Sequence, residues 1–497
     1  MPQPERRRRE RRRRKQRDTH RLNRSEKTTG FFWHLTDGHI NADMPTDANP
    51  CDSCLSSMGQ KKCDDLEPVG RFGHALCDAS IGLWRSAVDH MRRVAPLPDF
   101  ILAGGDWLGK APRGLRDGGN SMRAAAVLIA TMLNEAFPHV PTLHAMGNHD
   151  TYPYMSTAPT WRGWETAWRA DAHLGDEYMS QQFPDDALAQ WRKHGYYSRT
   201  LWRPQASNTS VSQPAIHGIA LNTNDLVRGD AREQLDWLER TLGTLRAQGD
   251  TALLLGHIPP GPSHFELDSI CSSGHYFDRT GSACWAHGAQ RRFVELATKF
   301  ADVLPASFFG HHHTDSVRVI GTRRRARRDR AVATRTRAPA AGEHIAFLAA
   351  ALTPRNPPHD PSLRLYSYSR LTGQILDFRD FSLNVPNSNR HKVARWVEAP
   401  SALHCDALNL TSLAPAEWER ALSSMLAFDH RPRSTDELHP ADPFFSWVSQ
   451  ERCTSQAYVE SGPMSVPPLR KCKLAHVCAA LHVDDKQYAE CIGMPLH

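Results

Sequence analysis

An α/β fold is expected for this chain on three grounds. Short apolar runs recur along it, and stretches with helical spacing separate them. The runs are bounded by Gly, Pro, Asn and Asp, as strands are. Most of them also end in a turn carrying Asp, Asn or His. In α/β sheets such turns gather beyond the carboxyl ends of the strands, where ligands bind.

In chain order, GFFWHLTDGH (30–39) reads as a buried strand ending in a polar turn. Residues 79–95 put Ile81, Leu83, Trp84, Val88 and Met91 at helical spacing. PDFILAGGD (98–106) is the next strand, SMRAAAVLIATMLNEAF (121–137) a helix, and VPTLHAMGNHD (140–150) a strand with a polar end. AIHGIALNTND (215–225) repeats the pattern, and AREQLDWLERTLGTLRAQG (231–249) is a helix. TALLLGHIPPG (251–261) and ASFFGHHHTD (306–315) are two more strands. Beyond about residue 385 the pattern changes: PAEWERALSSMLAF (415–428) and KLAHVCAALHV (473–483) are helical. The longest apolar stretch, 124–133, is too short to cross a bilayer, so no transmembrane segment is expected.

The charge is concentrated. Of a net +7, residues 1–30 carry +9 and residues 318–337 carry +8, so the remaining body is acidic. The first tract, RRRRERRRRKQR, has no packable face and reads as a disordered, solvated arm. The second reads as a long basic loop between two strands, able to attract a polyanion or an anionic surface. Eleven cysteines, four of them between Cys51 and Cys77 and four between Cys453 and Cys491, suggest a disulfide framework made in an oxidising compartment. A zinc knuckle at the Cys51/Cys54 pair is the alternative. Asn208 and Asn409, like Asn23, begin glycosylation triplets. No apolar core of signal-peptide type follows the N-terminal basic run.

The chemistry lies in the strand ends. They supply Asp37 and His39, Asp106, Asn148, His257, His311 and His313. Carboxylate and imidazole ligands suit zinc, iron or manganese. Seven are too many for one tetrahedral zinc. They suit two metals sharing a carboxylate, an arrangement that activates water and clamps a phosphoryl group.

The ordered set D-x-H, G-D, G-N-H-D, G-H, G-H-x-H resembles the calcineurin-like metallophosphoesterases. FGHALCDAS, GYYS, LNTN, GHIPPG, FFGHHHTDSVRV, TPRNPPHDPSLRLYSY and the C-terminal CKLAHVCAALHVDDKQYAEC narrow the likeness to the type 3 branch of the acid sphingomyelinase-like phosphodiesterases, over residues 31–493. The saposin domain of acid sphingomyelinase is not seen. The resemblance implies a metallophosphoesterase four-layer sandwich, two mixed sheets flanked by helices, with a small helical C-terminal region. It implies two zinc ions, or other divalent metals. Asp37, His39, Asp106 and His313 would hold one; Asp106, Asn148, His257 and His311 would hold the other. His149 would steady the phosphate while a metal-activated water attacks it. The substrate would be a small-molecule phosphodiester or pyrophosphate, such as a nucleotide or a sphingomyelin-like headgroup, met in a secreted, lysosomal or vacuolar setting.

One position departs from the family. Four residues after Asp106 the family places a histidine that helps protonate the leaving group; this chain has Lys110. Losing a general acid costs about 10²–10⁴-fold in rate, less for a good leaving group, so the substitution leans toward acidic leaving groups. Gly109 stands where purple acid phosphatases carry a tyrosine, and GDWLGKA lacks the protein-phosphatase pattern. An endopolyphosphatase-like hydrolase is the runner-up, on the Arg-rich loop. A catalytically weak anionic-ligand binder is the second alternative.

The expected organisation is a basic arm (1–28), a catalytic domain (29–385, with its basic loop at 321–342) and a disulfide-stapled helical C-terminal domain (386–497). His34 and Trp237 read as packing residues. His312 reads as a strand residue pointing away from its neighbours. Tyr152, Tyr154 and Trp161 either stack on a substrate or pack in the core. His275 and His287 have no assigned role, and the oligomeric state is open.

Overall fold

The computed structural model describes residues 28–50, 54, 66–109, 120–151, 154–155, 185–204, 214–228, 231–262, 285–321, 342–355, 360–398, 410–428 and 469–493. Lys110, Tyr152, Trp161, Asn208, His275 and Asn409 lie outside them, as do most of the two basic tracts.

Twelve strands are described: β1 (Thr29–Leu35), β2 (Phe100–Ala103), β3 (Thr142–His144), β4 (Tyr197–Trp202), β5 (Ile216–Ala220), β6 (Thr251–Leu255), β7 (Ala306–Phe309), β8 (Ser316–Gly321), β9 (Glu343–Leu348), β10 (Ser362–Ser369), β11 (Ile375–Leu383) and β12 (Trp396–Glu398). They form two six-stranded mixed sheets, ordered β12-β11-β10-β1-β2-β3 and β4-β5-β6-β7-β9-β8. β1, β2 and β3 run parallel, as do β5, β6, β7 and β9. The two parallel sets carry the strand-end turns.

The sheets meet through aromatic side chains. Phe32 stacks on Phe100 (4.6 Å between centroids) and on Tyr366 (5.0 Å), and meets Phe308 of the second sheet edge-on at 5.5 Å. Phe308 in turn meets Tyr366 at 5.1 Å. Such pairs add about 0.5–1.5 kcal/mol beyond their area burial.

Helices cover the outer faces. α1 (Ile81–Val94) and α2 (Asn120–Ala136) belong to the main core with the first sheet, and α3 (Asp185–His194) adds Trp191 to it. α1 starts where Ser80 caps the Leu83 amide. On the second sheet, α4 (Thr223–Arg228), α5 (Arg232–Gln248) and α6 (His287–Lys299) build a second core around Leu238, Leu242, Phe293 and Leu296. The result is the expected sandwich of two mixed sheets flanked by helices. α7 (Val385–His391) leads from β11 to β12.

The C-terminal helices α8 (Pro415–Phe428), α9 (Leu469–Leu481) and α10 (Asp485–Ile492) follow. Trp418, Leu422, Val477 and Leu481 join the main core, and α8 and α9 pack against β8. Disulfides Cys54–Cys77 and Cys478–Cys491 are formed. The first engages Cys54, so the Cys51/Cys54 pair is not a zinc knuckle.

Sequence spacing located the parallel strands and the long helices within a few residues. It did not single out β4, β10, β11, β12, α3, α4, α6, α7 or α10.

Candidate metal centre

Five strand ends converge on one buried cluster. Asp37 and His39 follow β1, Asp106 follows β2, Asn148 follows β3, His257 follows β6, and His311 and His313 follow β7. Of the eight non-glycine residues with left-handed backbone among the described residues, five are Asp37, His39, Asp106, His311 and His313. Such conformations cost of order 1–3 kcal/mol each and persist only where the surroundings impose them. Here backbone bonds impose them: Asp37 N–H to Gly105 (2.9 Å), His39 N–H to Asp106 (2.8 Å), Thr353 N–H to Asp37 (2.9 Å) and Gly310 N–H to His257 (3.0 Å).

The motif glycines have a steric reason. A Cβ on Gly147 would lie 2.0 Å from Asp106 Oδ1, and one on Gly310 would lie 2.4 Å from Asp37 Oδ2. A side chain before either turn would displace a site carboxylate.

Hydrogen bonds orient each group. His39 Nδ1 donates to the Leu108 carbonyl and His257 Nδ1 to that of Gly104, both at 2.8 Å. Each Nε2 is thereby turned toward the cluster. His39 Nε2 and His313 Nε2 face each other at 3.2 Å. Asn148 Oδ1 lies 3.0 Å from His257 Nε2 and 2.9 Å from His311 Nδ1. Asp106 Oδ2 is 3.5 Å from His39 Nε2 and 3.2 Å from His257 Nε2, so this carboxylate touches both halves of the cluster. Ligand atoms of Asp37, His39 and His313 lie within 4.8 Å of one another, as do those of Asp106, His257 and His311.

The residues fit a pair of cations. Asp37 Oδ2 accepts from the Thr36 hydroxyl (2.7 Å) and the His311 N–H (2.8 Å), while its buried Oδ1 accepts no hydrogen bond. That oxygen instead faces Nε2 of His313 at 3.3 Å and of His257 at 3.9 Å. Burial alone would raise the carboxyls of Asp37 and Asp106, but the neighbouring imidazoles outweigh it and hold both below their ordinary range. His257, buried yet set between the two carboxylates, is pushed up to about 9. Burial, then the His257 charge, push His311 down to about 3. Imidazoles facing carboxylates at these distances compete for protons that a divalent cation would replace.

His149 stands at the mouth, half-buried. Its N–H donates to Asp106 Oδ1 (2.8 Å), and its ring lies 5.2 Å from that of His39 and 4.9 Å from that of Tyr154. His312 sits in the turn after β7 and not on a strand; it is buried, and burial holds it well below its ordinary pKa. His34 is buried in the core, with neither ring nitrogen hydrogen-bonded. Trp237 packs against the second core, and His287 pairs with Asp485 at 3.0 Å. Gly321 and Glu343, which bracket the Arg-rich stretch, pair at the end of β8 and β9 away from the site. β8 spans roughly 17 Å between its site end and that pair.

Residues 32–315 match the family profile of the calcineurin-like phosphoesterases, so the chain belongs to that family and is a phosphoester-hydrolysing enzyme. It is similar to acid sphingomyelinase-like phosphodiesterase 3b, at 25% identity to the protein of Homo sapiens and 24% to that of Mus musculus, over 93% of this chain and 90% of each relative. It is also 22% identical to cyclic GMP-AMP phosphodiesterase SMPDL3A of Homo sapiens, over the same shares.

Asp150, the last residue of the GNHD turn, has a role that sequence spacing does not reveal. Its buried carboxylate accepts from the N–H groups of Asp106 (2.7 Å), Trp107 (2.8 Å) and Gly147 (2.9 Å). It ties the turn holding Asp106 to the turn holding Asn148. Burial, then the Asp106 charge, push its carboxyl up to about 7. The signal available in the sequence was a second acid in a strand-end turn already rich in ligands.

Proposed function

We propose that the chain is a dinuclear-metal phosphodiesterase acting on phosphodiester or pyrophosphate bonds of small molecules, nucleotides and sphingomyelin-like headgroups among them. The observation that carries this reading is the convergence of two ligand groups around Asp106, with a buried Asp37 oxygen that accepts no hydrogen bond. Asp37, His39, Asp106 and His313 would hold one zinc ion; Asp106, Asn148, His257 and His311 would hold the other. When bound, the ions supply positive charge that polarises the phosphoryl group and activates water. The protein fixes the ligands in place: His39 and His257 through their Nδ1 bonds, Asp106 through the His149 N–H. The His149 ring at the mouth meets the phosphoryl oxygens and steadies their developing charge. Lys110, four residues after Asp106, would act as an altered proton donor or as a cation on the phosphate, or would point away and leave His149 to serve alone; loss of the family histidine favours acidic leaving groups.

The relatives named phosphodiesterases support diester over monoester chemistry. The two disulfides support an oxidising compartment, secreted or a lysosomal or vacuolar lumen, with Asn208 and Asn409 as glycosylation sites.

The test is zinc-dependent hydrolysis of bis(p-nitrophenyl) phosphate by the purified chain. Chelator should abolish turnover and zinc restore it. Asp106→Asn should lower it by more than the roughly 10–100-fold typical of outer-shell partners, while the metal-free melting temperature stays within a few degrees. Chelator-resistant turnover would overturn the reading.

A further inference from the structure

Asn148 can face the cluster with its oxygen or its nitrogen, and only the oxygen is an acceptor. Its orientation is set from outside. Asn148 Nδ2 donates to the phenol oxygen of Tyr154 at 2.9 Å, which leaves Oδ1 toward His257 and His311. Tyr154 is itself held in place. Met155 is buried in the second core with left-handed backbone, and its N–H donates to the Asn148 carbonyl at 3.1 Å.

Held this way, the ring is still not a core residue. Tyr154 is 44% exposed, and one side leans on His149 at 4.9 Å. The other large aromatic exposed to that degree among the described residues, Phe31, lies near the start of β1, at the end of the sheet away from the site. A buried phenol would need no second explanation. A partly exposed ring fixed between a candidate ligand and His149 offers an aromatic face where the organic part of a substrate must emerge.

We propose that Tyr154 is a substrate-contact residue of this centre: its hydroxyl sets the Asn148 amide, and its ring receives the base of a nucleotide. The assignment rests on the diesterase reading and adds a specificity element to it. A ring exposed beside the site can stack on the flat face of a base, which every nucleotide carries.

Binding tests this without turnover. Calorimetric titrations of AMP, phosphocholine and inorganic phosphate are run on zinc-saturated wild type, Tyr154→Phe and Tyr154→Leu. Both variants lack the hydroxyl and only one lacks the ring. Stacking on an aromatic side chain predicts AMP binding at least about 10-fold weaker in Tyr154→Leu than in Tyr154→Phe, with phosphocholine and phosphate within about twofold. Loss of the hydroxyl predicts that Tyr154→Phe holds zinc about 10-fold more weakly than wild type, read as metal content after dialysis against a zinc buffer. Equal AMP affinity in the two variants, or a loss confined to phosphocholine, overturns the base contact. Unchanged zinc content in a folded Tyr154→Phe overturns the positioning role. Failure of the diesterase reading would show separately, as no zinc-dependent hydrolysis by wild type.

Discussion

Two buried polar clusters lie side by side in this protein and are built on opposite rules. One is the metal centre. The other sits between the sheets and begins two residues beyond His313, at Asp315. There the fully buried Arg364 of β10 donates to Asp315 (2.5 Å) and to both oxygens of Asp380 (2.5 and 2.9 Å), and reaches the Leu348 carbonyl at 3.3 Å. Burial alone would lower the Arg364 pKa, but Asp380 and Asp315 outweigh it and keep the guanidinium firmly charged. That cluster carries its own cation, and both aspartates are spent on it. The metal centre gathers Asp37 and Asp106 with four imidazoles, holds five residues in left-handed backbone, and leaves Asp37 Oδ1 with no donor. A buried charge needs a partner. The Arg364 cluster finds it within the chain; the metal centre is arranged to take it from outside.

The largest expected effect separates these rules. Arg364→Leu strands two carboxylates and should destabilise the fold by about 3–5 kcal/mol in urea unfolding, whatever the metal content. Unchanged stability would break the comparison. Asp150→Asn comes next. It puts an amide N–H₂ against backbone N–H groups that now reach a carboxylate, loosening the turns of Asp106 and Asn148 together. Zinc affinity should fall about 10–100-fold, measured by competition with a chelating dye; an unchanged affinity would remove Asp150 from the account.

The smallest effect concerns His34, which borders the structural cluster. Burial, then the Arg364 charge, hold it down to about 3. The unfolded chain takes up this proton near pH 6.5 and the folded chain near pH 3, so stability falls as pH drops through that window. The slope from this one residue is roughly 1.4 kcal/mol per pH unit. Unfolding at pH 6.5, 5.5 and 4.5 should show it, and His34→Leu should flatten it by that amount.

Much of the centre was legible in order along the chain. Apolar runs ending in Asp, Asn or His mark strands whose carboxyl ends must share one edge, because parallel strands with helical crossovers align those ends. Asp37, His39, Asp106, Asn148, His257, His311 and His313 are brought together by that rule. β10 and β11 escaped it: they join the sheet by antiparallel pairing and carry no site residue, so nothing in their spacing advertised them. Tyr154 was legible only as an alternative between stacking and packing, and its 44% exposure is a matter of tertiary structure.

By itself, then, the sequence determined which residue types stand at the strand ends, and hence the class of chemistry, because periodicity and turn composition are local properties. Only the tertiary structure decided which groups touch. Asp106 reaches both halves of the cluster, Asp150 binds two turns some forty residues apart in sequence, and Tyr154 accepts from the Asn148 amide. Those are matters of register and packing between distant segments, and a side chain's partner across a sheet is not written in its neighbours along the chain.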